Sequence, residues 1–370
     1  MRVLILGGGA IGVSIAYHLA ARGADVIVIE RSAIACAASG RSGGFLAMDW
    51  CDGTPLMHLA RRSFELHAEL AEAYVGEWGY RRMTTYGGTV GASSTTASRG
   101  ARLGWVSPNI SINGRLGSIG TTAQVQPAAF TIGMMRAAEA RGAELRLGNV
   151  TGLLRRGGDV VGVDLDGEAL EGDAVVIAMG PWSVLAAQWL SLPPVFGLKG
   201  HSLVFDTGAG IPPEALFLEY AEATGTILSP EIFPRADGTT YVCAISSDSP
   251  LPTDPGLVVP DDGAIDRLKE LCARISPMLA SSRVLSSQAC FRPVTQDGLP
   301  LIGAIPGTPG AFVATGHSVW GILNAPATGE AMAELILDGA TGAVDLASFD
   351  PARLEALDPG RVAVTRRHLG

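Results

Sequence analysis

Three glycines, Gly7, Gly9 and Gly12, stand near the amino end at the spacing G-x-G-x-x-G, and an acid, Glu30, follows about twenty residues on. Each residue type has a task in holding a phosphorylated nucleotide. Gly7 permits a tight turn, Gly9 leaves the backbone bare for a pyrophosphate, and Gly12 lets a helix lie close to a strand. Free N–H groups at the helix start, with its dipole, favour negative charge. Glu30 can accept hydrogen bonds from a ribose diol and would repel a 2′-phosphate. The chemistry indicated is adenine-dinucleotide binding. The alternative is a glycine-rich turn in an α/β fold without a ligand.

The elements that would position these residues are legible around them. Val3 to Leu6 is a short apolar run that reads as a buried parallel strand. A helix is predicted from about Ala10 to Arg22, and a second strand from Val26 to Ile29, ending in Glu30. Next comes Ser39-Gly40-Arg41-Ser42-Gly43-Gly44, whose bare backbone and hydroxyls at Ser39 and Ser42 could also meet a ligand. A flexible surface loop is the alternative; its place directly after the acid favours ligand contact.

Thr54 to Tyr74 has helical spacing, with Thr54 as a cap. His58 and His67 lie in it, and neither is assigned chemistry. Arg81 to Gln124 reads as strands or loops. A helix follows from Ala128 to Arg141, then turns at Gly157-Gly158 and Asp166-Gly167 within a hairpin or meander. Asp173 to Ala178 is a buried strand ending in the sharp turn Met179-Gly180-Pro181-Trp182-Ser183, and ligands sit at such carboxyl ends of parallel strands. Strand-like pieces at His201 to Asp206, Thr226 to Leu228 and Thr239 to Ser246, with a helix at Asp261 to Ser276, suit a separate covering layer. The chain then returns through Ser287 to Arg292 and a strand at Ala311 to Ala314. A glycine turn, Gly316 to Ile322, opens a helix from about Gly321 to Leu337.

Composition bounds the rest. The 370 residues suffice for one large or two intimate domains, and 48 glycines, about twice the usual share, serve many tight turns. A net charge of −9 with no basic block argues against nucleic acid or an anionic membrane as partner. No apolar run reaches the length of a membrane span. The chain opens directly on its first strand, so no targeting peptide is expected. Five scattered cysteines without a C-x-x-C pair suit a reducing cytosol, and the expected location is cytoplasmic. No second G-x-G-x-x-G with strand and acid occurs later in the chain.

Four stretches together, GGGAIG with Glu30, SGRSGG, VVIAMGPWS, and CFRPVTQDGLPLIG followed by GHSVWGILNAPATGE, carry a resemblance. The chain resembles the FAD-dependent oxidoreductases of the D-amino-acid oxidase, glycine oxidase and sarcosine oxidase superfamily over nearly its full length. The resemblance implies an α/β fold, with a Rossmann-like FAD-binding domain (GR2-type) formed by residues 1–85, 128–198 and 288–370. An antiparallel-sheet substrate domain, 86–127 and 199–287, would cover the flavin. Gly7, Gly9, Ala10, Ile11 and Gly12 would hold the pyrophosphate, with Glu30 on the adenosine ribose and Arg31 beside it. Ser39, Arg41, Ser42, Gly43 and Gly44 would line the pyrophosphate and flavin edge, and Val150 would contact adenine. Ala178, Gly180 and Trp182 would lie along the cofactor. Gly316, His317, Ser318, Gly321 and Ile322 would meet the pyrimidine side of the flavin, where a helix start supplies N–H donors.

The activity so implied is oxidation of the C–N bond of an amino acid or amine, with electrons passing to oxygen or another acceptor. Arg292 would anchor a substrate carboxylate, because a guanidinium forks two N–H donors onto it. The alternative for Arg292 is a structural ion pair. Tyr241 could bond the same carboxylate or be a half-buried sheet tyrosine. His317 could contact flavin or substrate, through its side chain or backbone alone. Cys290 matches the cysteine that links covalently to flavin in monomeric sarcosine oxidases, although a buried small apolar residue is the favoured reading and FAD is expected to be held non-covalently. Val319 stands where glycine-oxidase-like members often carry a second arginine. The chain's two lysines, Lys199 and Lys269, have no clear match to the oxygen-activating lysine of sarcosine oxidases. Two further readings remain: oxidation of a C–O bond in a 2-hydroxy acid or glycerol phosphate, and a flavin-bearing scaffold without turnover.

Overall fold

The computed structural model describes residues 1–74, 78–91 and 102–357. Parts of the expected cover (92–101) and of the expected cofactor unit (358–370) lie outside the described residues.

A six-stranded sheet carries the nucleotide motif. Its order is Leu301–Ala304, Ala311–Thr315, Ala174–Ile177, Arg2–Leu6, Asp25–Glu30 and Glu144–Leu147. The last five run parallel and Leu301–Ala304 is antiparallel to its neighbour. The central strands are unbroken apolar runs because helices or other layers cover both faces. The first helix, Ala10–Ala21, returns the chain from Arg2–Leu6 to Asp25–Glu30. It packs against the helices Pro127–Glu139 and Gly321–Asp338, and the last of these also packs on Met57–Ala73. The expected meander is a three-stranded sheet, Val150–Arg156, Asp159–Leu165 and Glu168–Glu171.

The second large sheet has eight strands. Seven run in the order Arg283–Val294, Phe196–Asp206, Thr239–Ser247, Glu231–Pro234, Glu214–Ala221, Thr84–Val90 and Ile110–Gly117, with Ile227–Leu228 beside Glu214–Ala221. It is antiparallel except where Glu214–Ala221 pairs parallel with Thr84–Val90. The expected boundaries at 86, 199 and 288 fall inside its strands, because a ladder runs through whichever residues pair. The helix Ala264–Ile275 covers its outer face, with Leu268, Leu271 and Ile275 in the core. A small sheet of Phe45–Ala47, Thr122–Gln124 and Arg81–Arg82 lies apart from both.

Local chemistry differs from expectation at two helices. Thr54 does not cap the helix Met57–Ala73; its hydroxyl donates to Cys51 O and accepts from Leu56 N–H, closing the preceding turn. The closing helix contains Pro326, which has no N–H to give the carbonyl four residues back, Ile322 O. His67 supplies it: buried Nε2 lies 2.9 Å from Ile322 O. Since a carbonyl only accepts, Nε2 carries the proton. One turn earlier on the same helix, Ser63 Oγ accepts from Ala327 N–H at 3.1 Å. Helix Met57–Ala73 thus repairs the backbone of a helix whose first turn, as shown below, faces the ligand cavity.

Burial holds His67 neutral, pushing its pKa down from 6.5 to about 4; it does the same to His18, about 4, and His317, about 3. The unfolded chain therefore binds more protons between pH 6.5 and 4, and stability falls as pH drops through that window. Replacing His67 by Leu strands a buried carbonyl and should cost about 1–3 kcal/mol in denaturant unfolding. His67→Gln keeps an N–H donor without a titration, so its stability should decline less steeply than wild type as pH falls from 6.5 to 4.

Candidate active site

One cavity of about 860 Å³ lies between the carboxyl ends of the parallel strands and the inner face of the eight-stranded sheet. That is near the top of the range for ligand pockets, about 300–1,000 Å³. Its nucleotide end is built from the first turn. Gly7 has φ +116°, and a Cβ there would come within 2.4 Å of Ala178 O, so only glycine joins the strand to the helix. At Gly9 the nearest atom to a Cβ would be Ser39 Oγ at 3.1 Å, and the rest of its surroundings are open. Ser39 Oγ accepts from Ala10 N–H at 2.9 Å, which ties the second glycine-rich stretch to the helix start. Glu30 is held in place: Oε2 accepts from Gly8 N–H at 2.7 Å and Oε1 from Ser32 N–H at 2.8 Å.

Nearly all the cofactor-binding residues expected from the sequence line this cavity: Gly7, Gly9, Ala10, Ile11, Glu30, Arg31, Ser39, Ser42, Gly43, Gly44, Val150, Ala178, Gly180, Trp182, Gly316, His317, Ser318, Gly321 and Ile322. Two do not. Gly12 faces the first strand, where a Cβ would sit 2.0 Å from Gly7 O. Arg41 turns away and donates to Val258 O and Ala289 O, so its guanidinium joins chain segments rather than meeting a ligand. Arg31 and Trp182 line the wall but are also tied, to Thr253 O at 2.8 Å and Pro252 O at 2.7 Å. Together they hold the segment around Thr253 and Pro255 along the cavity.

The donor set suits a flavin nucleotide. Ser42 Oγ and His317 Nδ1 are buried cavity groups with no hydrogen-bond partner among the described residues. Ser318 holds φ +49°, uncommon for a side-chain-bearing residue, at the turn that brings the start of the closing helix, Gly321 and Ile322, to the cavity wall. His317 Nε2 lies 3.1 Å from Thr328 Oγ1, and the ring is neutral because burial depresses its pKa to about 3.

The opposite end is the face of the eight-stranded sheet. Alternation puts Cys290 and Arg292, Tyr241 and Cys243, and Glu231 and Phe233 on this one face. Aromatic rings form a continuous wall: Trp320 against Trp50, Trp50 against Phe217, Phe217 against Phe45, and Phe45 stacked on Phe233 and Phe233 on Tyr241 at 5.2 and 6.1 Å. Arg292 lies over Gly200, where a Cβ would be 3.3 Å from its Cζ, and donates to Ser246 Oγ at 3.2 Å. Among the described residues it has no ion pair. Burial alone would lower its pKa, the Glu231 carboxylate opposes this, and the guanidinium stays charged. Burial pushes the Tyr241 phenol and the Cys243 and Cys290 thiols up, so all three are neutral.

Lys199 is not on the cavity wall; it pairs with Asp261, which also accepts from Ser247 and Ser249. Val319 does line the cavity, and it leaves Arg292 as the one arginine at this end among the described lining residues. Sequence reasoning missed Glu231, Phe45, Trp50, Phe217 and Phe233. The signal available was Glu231-Ile232-Phe233, a charge at an alternating position of a strand, but the strand itself was not recognised.

The family description FAD dependent oxidoreductase, DAO, matches residues 2–335. This chain belongs to that family. It is 31% identical over 378 residues to a Schizosaccharomyces pombe protein named only as an oxidoreductase, covering 94% of this chain and 97% of that one. It is 28% identical to glycine oxidase of Pseudomonas aeruginosa, covering 95% and 98%. The crystal structure of glycine oxidase from Geobacillus kaustophilus superposes with a TM-score of 0.79 at 24% identity, covering 95% and 99%. The fold is therefore a Rossmann-like FAD domain under a sheet, and the protein is an enzyme of the FAD-dependent oxidoreductases with FAD as its cofactor. No described helix is long and apolar enough to cross a membrane.

A side chain at Gly9 enters the open side of the cradle. Gly9→Val should keep the circular dichroism and lower FAD affinity about tenfold or more, since hydrogen bonds to a charged group are worth about 1.5–3 kcal/mol each. Titration of FAD into the stripped protein measures it.

Proposed function

We propose that this enzyme oxidises the C–N bond of an amino acid or secondary amine, the resulting imine being hydrolysed by water. The observation that carries the reading is Arg292: a charged guanidinium, unpaired among the described residues, on the wall of a mainly apolar cavity. Such a group needs an anionic partner, and a substrate carboxylate fits its forked donors. The names of the relatives, glycine oxidase among them, point the same way. FAD, when bound, supplies the acceptor for the hydride at its N5.

The chain's own residues do the rest. The described parts of residues 1–85, 128–198 and 288–370 hold the cofactor, and those of 86–127 and 199–287 cover it. Arg292 binds the carboxylate and fixes the direction of the neighbouring C–H bond. The aromatic wall receives the apolar part of the substrate and keeps water out. Tyr241, a neutral phenol, donates a hydrogen bond at the carboxylate, and His317 acts as a neutral hydrogen-bonding group. Oxygen or another molecule removes the electrons.

Arg292→Ala should lower kcat/KM for carboxylate substrates about a hundredfold, mostly through KM, with Arg292→Lys in between. Anaerobic flavin bleaching with D- and L-amino acids, N-methyl amino acids and 2-hydroxy acids identifies the substrate. Unchanged turnover in Arg292→Ala removes the anchor, and bleaching by 2-hydroxy acids alone moves the reaction to a C–O bond.

FAD is held non-covalently in this reading, because burial raises the Cys290 thiol and disfavours the nucleophilic thiolate. Acid precipitation should leave the yellow colour in the supernatant. Colour in the pellet that disappears in Cys290→Ser contradicts it.

A further inference from the structure

Glu231 is the second carboxylate on the described cavity wall, and it lies at the sheet end, away from the nucleotide end where Glu30 is held by the first turn. It is half-buried and lines the cavity. Its partner is Cys243 Sγ, 3.4 Å from Oε2, and among the described residues no cation lies within ion-pair distance. Arg292 acts on it electrostatically without pairing. A cation and an anion thus stand apart on one sheet face, in a cavity walled by aromatic rings. Leaving both unpaired in such surroundings is costly. A zwitterion placed between them satisfies both. A carboxylate with no amino group satisfies Arg292 and leaves Glu231 facing a second negative charge.

We propose that Glu231 receives the substrate's amino group, pairing with its ammonium and then accepting the proton that must leave before oxidation. This rests on the reading of the cavity as an amino-acid site. The step is a proton transfer alone: one N–H bond of the ammonium breaks, an O–H bond forms on Glu231, and no electrons change hands. The other titratable groups at this end suit the role poorly. Tyr241, Cys243 and Cys290 are already protonated, and His317 is held too weakly basic by burial. Desolvation raises the Glu231 carboxyl, with Arg292 and Cys243 opposing, which makes it a stronger base than an exposed glutamate. The amine requirement, on this account, comes from Glu231 and the carboxylate requirement from Arg292.

The test uses holoenzyme and ligands that cannot turn over. 2-Aminoisobutyrate has no α-hydrogen, and isobutyrate is its counterpart without the amino group. Calorimetry should show wild type binding 2-aminoisobutyrate more tightly, with affinity falling as pH drops through the raised Glu231 pKa. Glu231→Gln should weaken 2-aminoisobutyrate about tenfold or more, abolish that acid-side dependence, and leave isobutyrate equal or tighter. Glu231→Asp should recover part of the loss. Melting temperature at neutral pH should stay equal or rise in Glu231→Gln, because an unpaired charge is removed. Unchanged 2-aminoisobutyrate binding in Glu231→Gln, or weakening that comes with a lower melting temperature and lost FAD, overturns the proposal. Failure of wild type to bind either ligand, or equal binding of both by Arg292→Ala, instead overturns the amino-acid reading beneath it.

Discussion

Two helix contacts too close for any side chain set the geometry of this enzyme. A Cβ on Gly12 would sit 2.0 Å from Gly7 O, and one on Gly329 would sit 2.6 Å from the Ser14 backbone. The first helix is therefore pressed between the strand that precedes it and the helix that closes the fold. Because both contacts are backbone to backbone, they leave little room for the elements to slide. The consequence is positional. The phosphate turn at one end of the chain and the Gly316–Ile322 turn at the other are held on the rim of one cavity, though more than 300 residues separate them.

The closing helix needs further support because it carries a proline. Pro326 frees the carbonyl of Ile322, a residue on the cavity wall, and a buried polar group without a partner is expensive. His67 meets that need from a neighbouring helix, and Ser63 on the same helix accepts from Ala327 N–H. Both are fully buried. The histidine is thereby committed to one tautomer and to the neutral state, so a residue with no place in the chemistry still couples acid sensitivity to the shape of the site.

The cavity is divided by chemistry. At the nucleotide end, backbone N–H groups and a restrained glutamate suit phosphates and a diol. At the sheet end, aromatic rings and neutral thiols surround one arginine and one glutamate that do not meet. Burial sets the protonation state of nearly every titratable group there, and it does so in one direction: the phenol, thiols and histidine are all uncharged. On the proposed reading, charge is left where an amino acid would present its opposite. The unpaired state costs stability, and function is the physical reason to retain it.

Local order in the sequence was enough to determine the first strand, helix and second strand, the acid that ends them, the meander with its two glycine turns, and the closing helix. These depend on periodicity and on turn residues, which act over a few positions. Most of the residues that line the nucleotide end followed, since they sit on those turns. At the sheet end the resemblance named Arg292, Tyr241 and Cys290, while tertiary structure alone decided Glu231 and the aromatic wall. The strand Glu231–Pro234 is four residues long and takes its meaning from its neighbours, so Glu231 became visible only when Cys243 and Arg292 lay on the same face. Arg41 sits in the right stretch yet reaches two distant carbonyls, and the Ile322 carbonyl that Pro326 leaves free finds its partner in His67, 255 positions away. Pairings at such separation leave no periodic trace, because they are set by how sheets and helices stack rather than by how a segment folds.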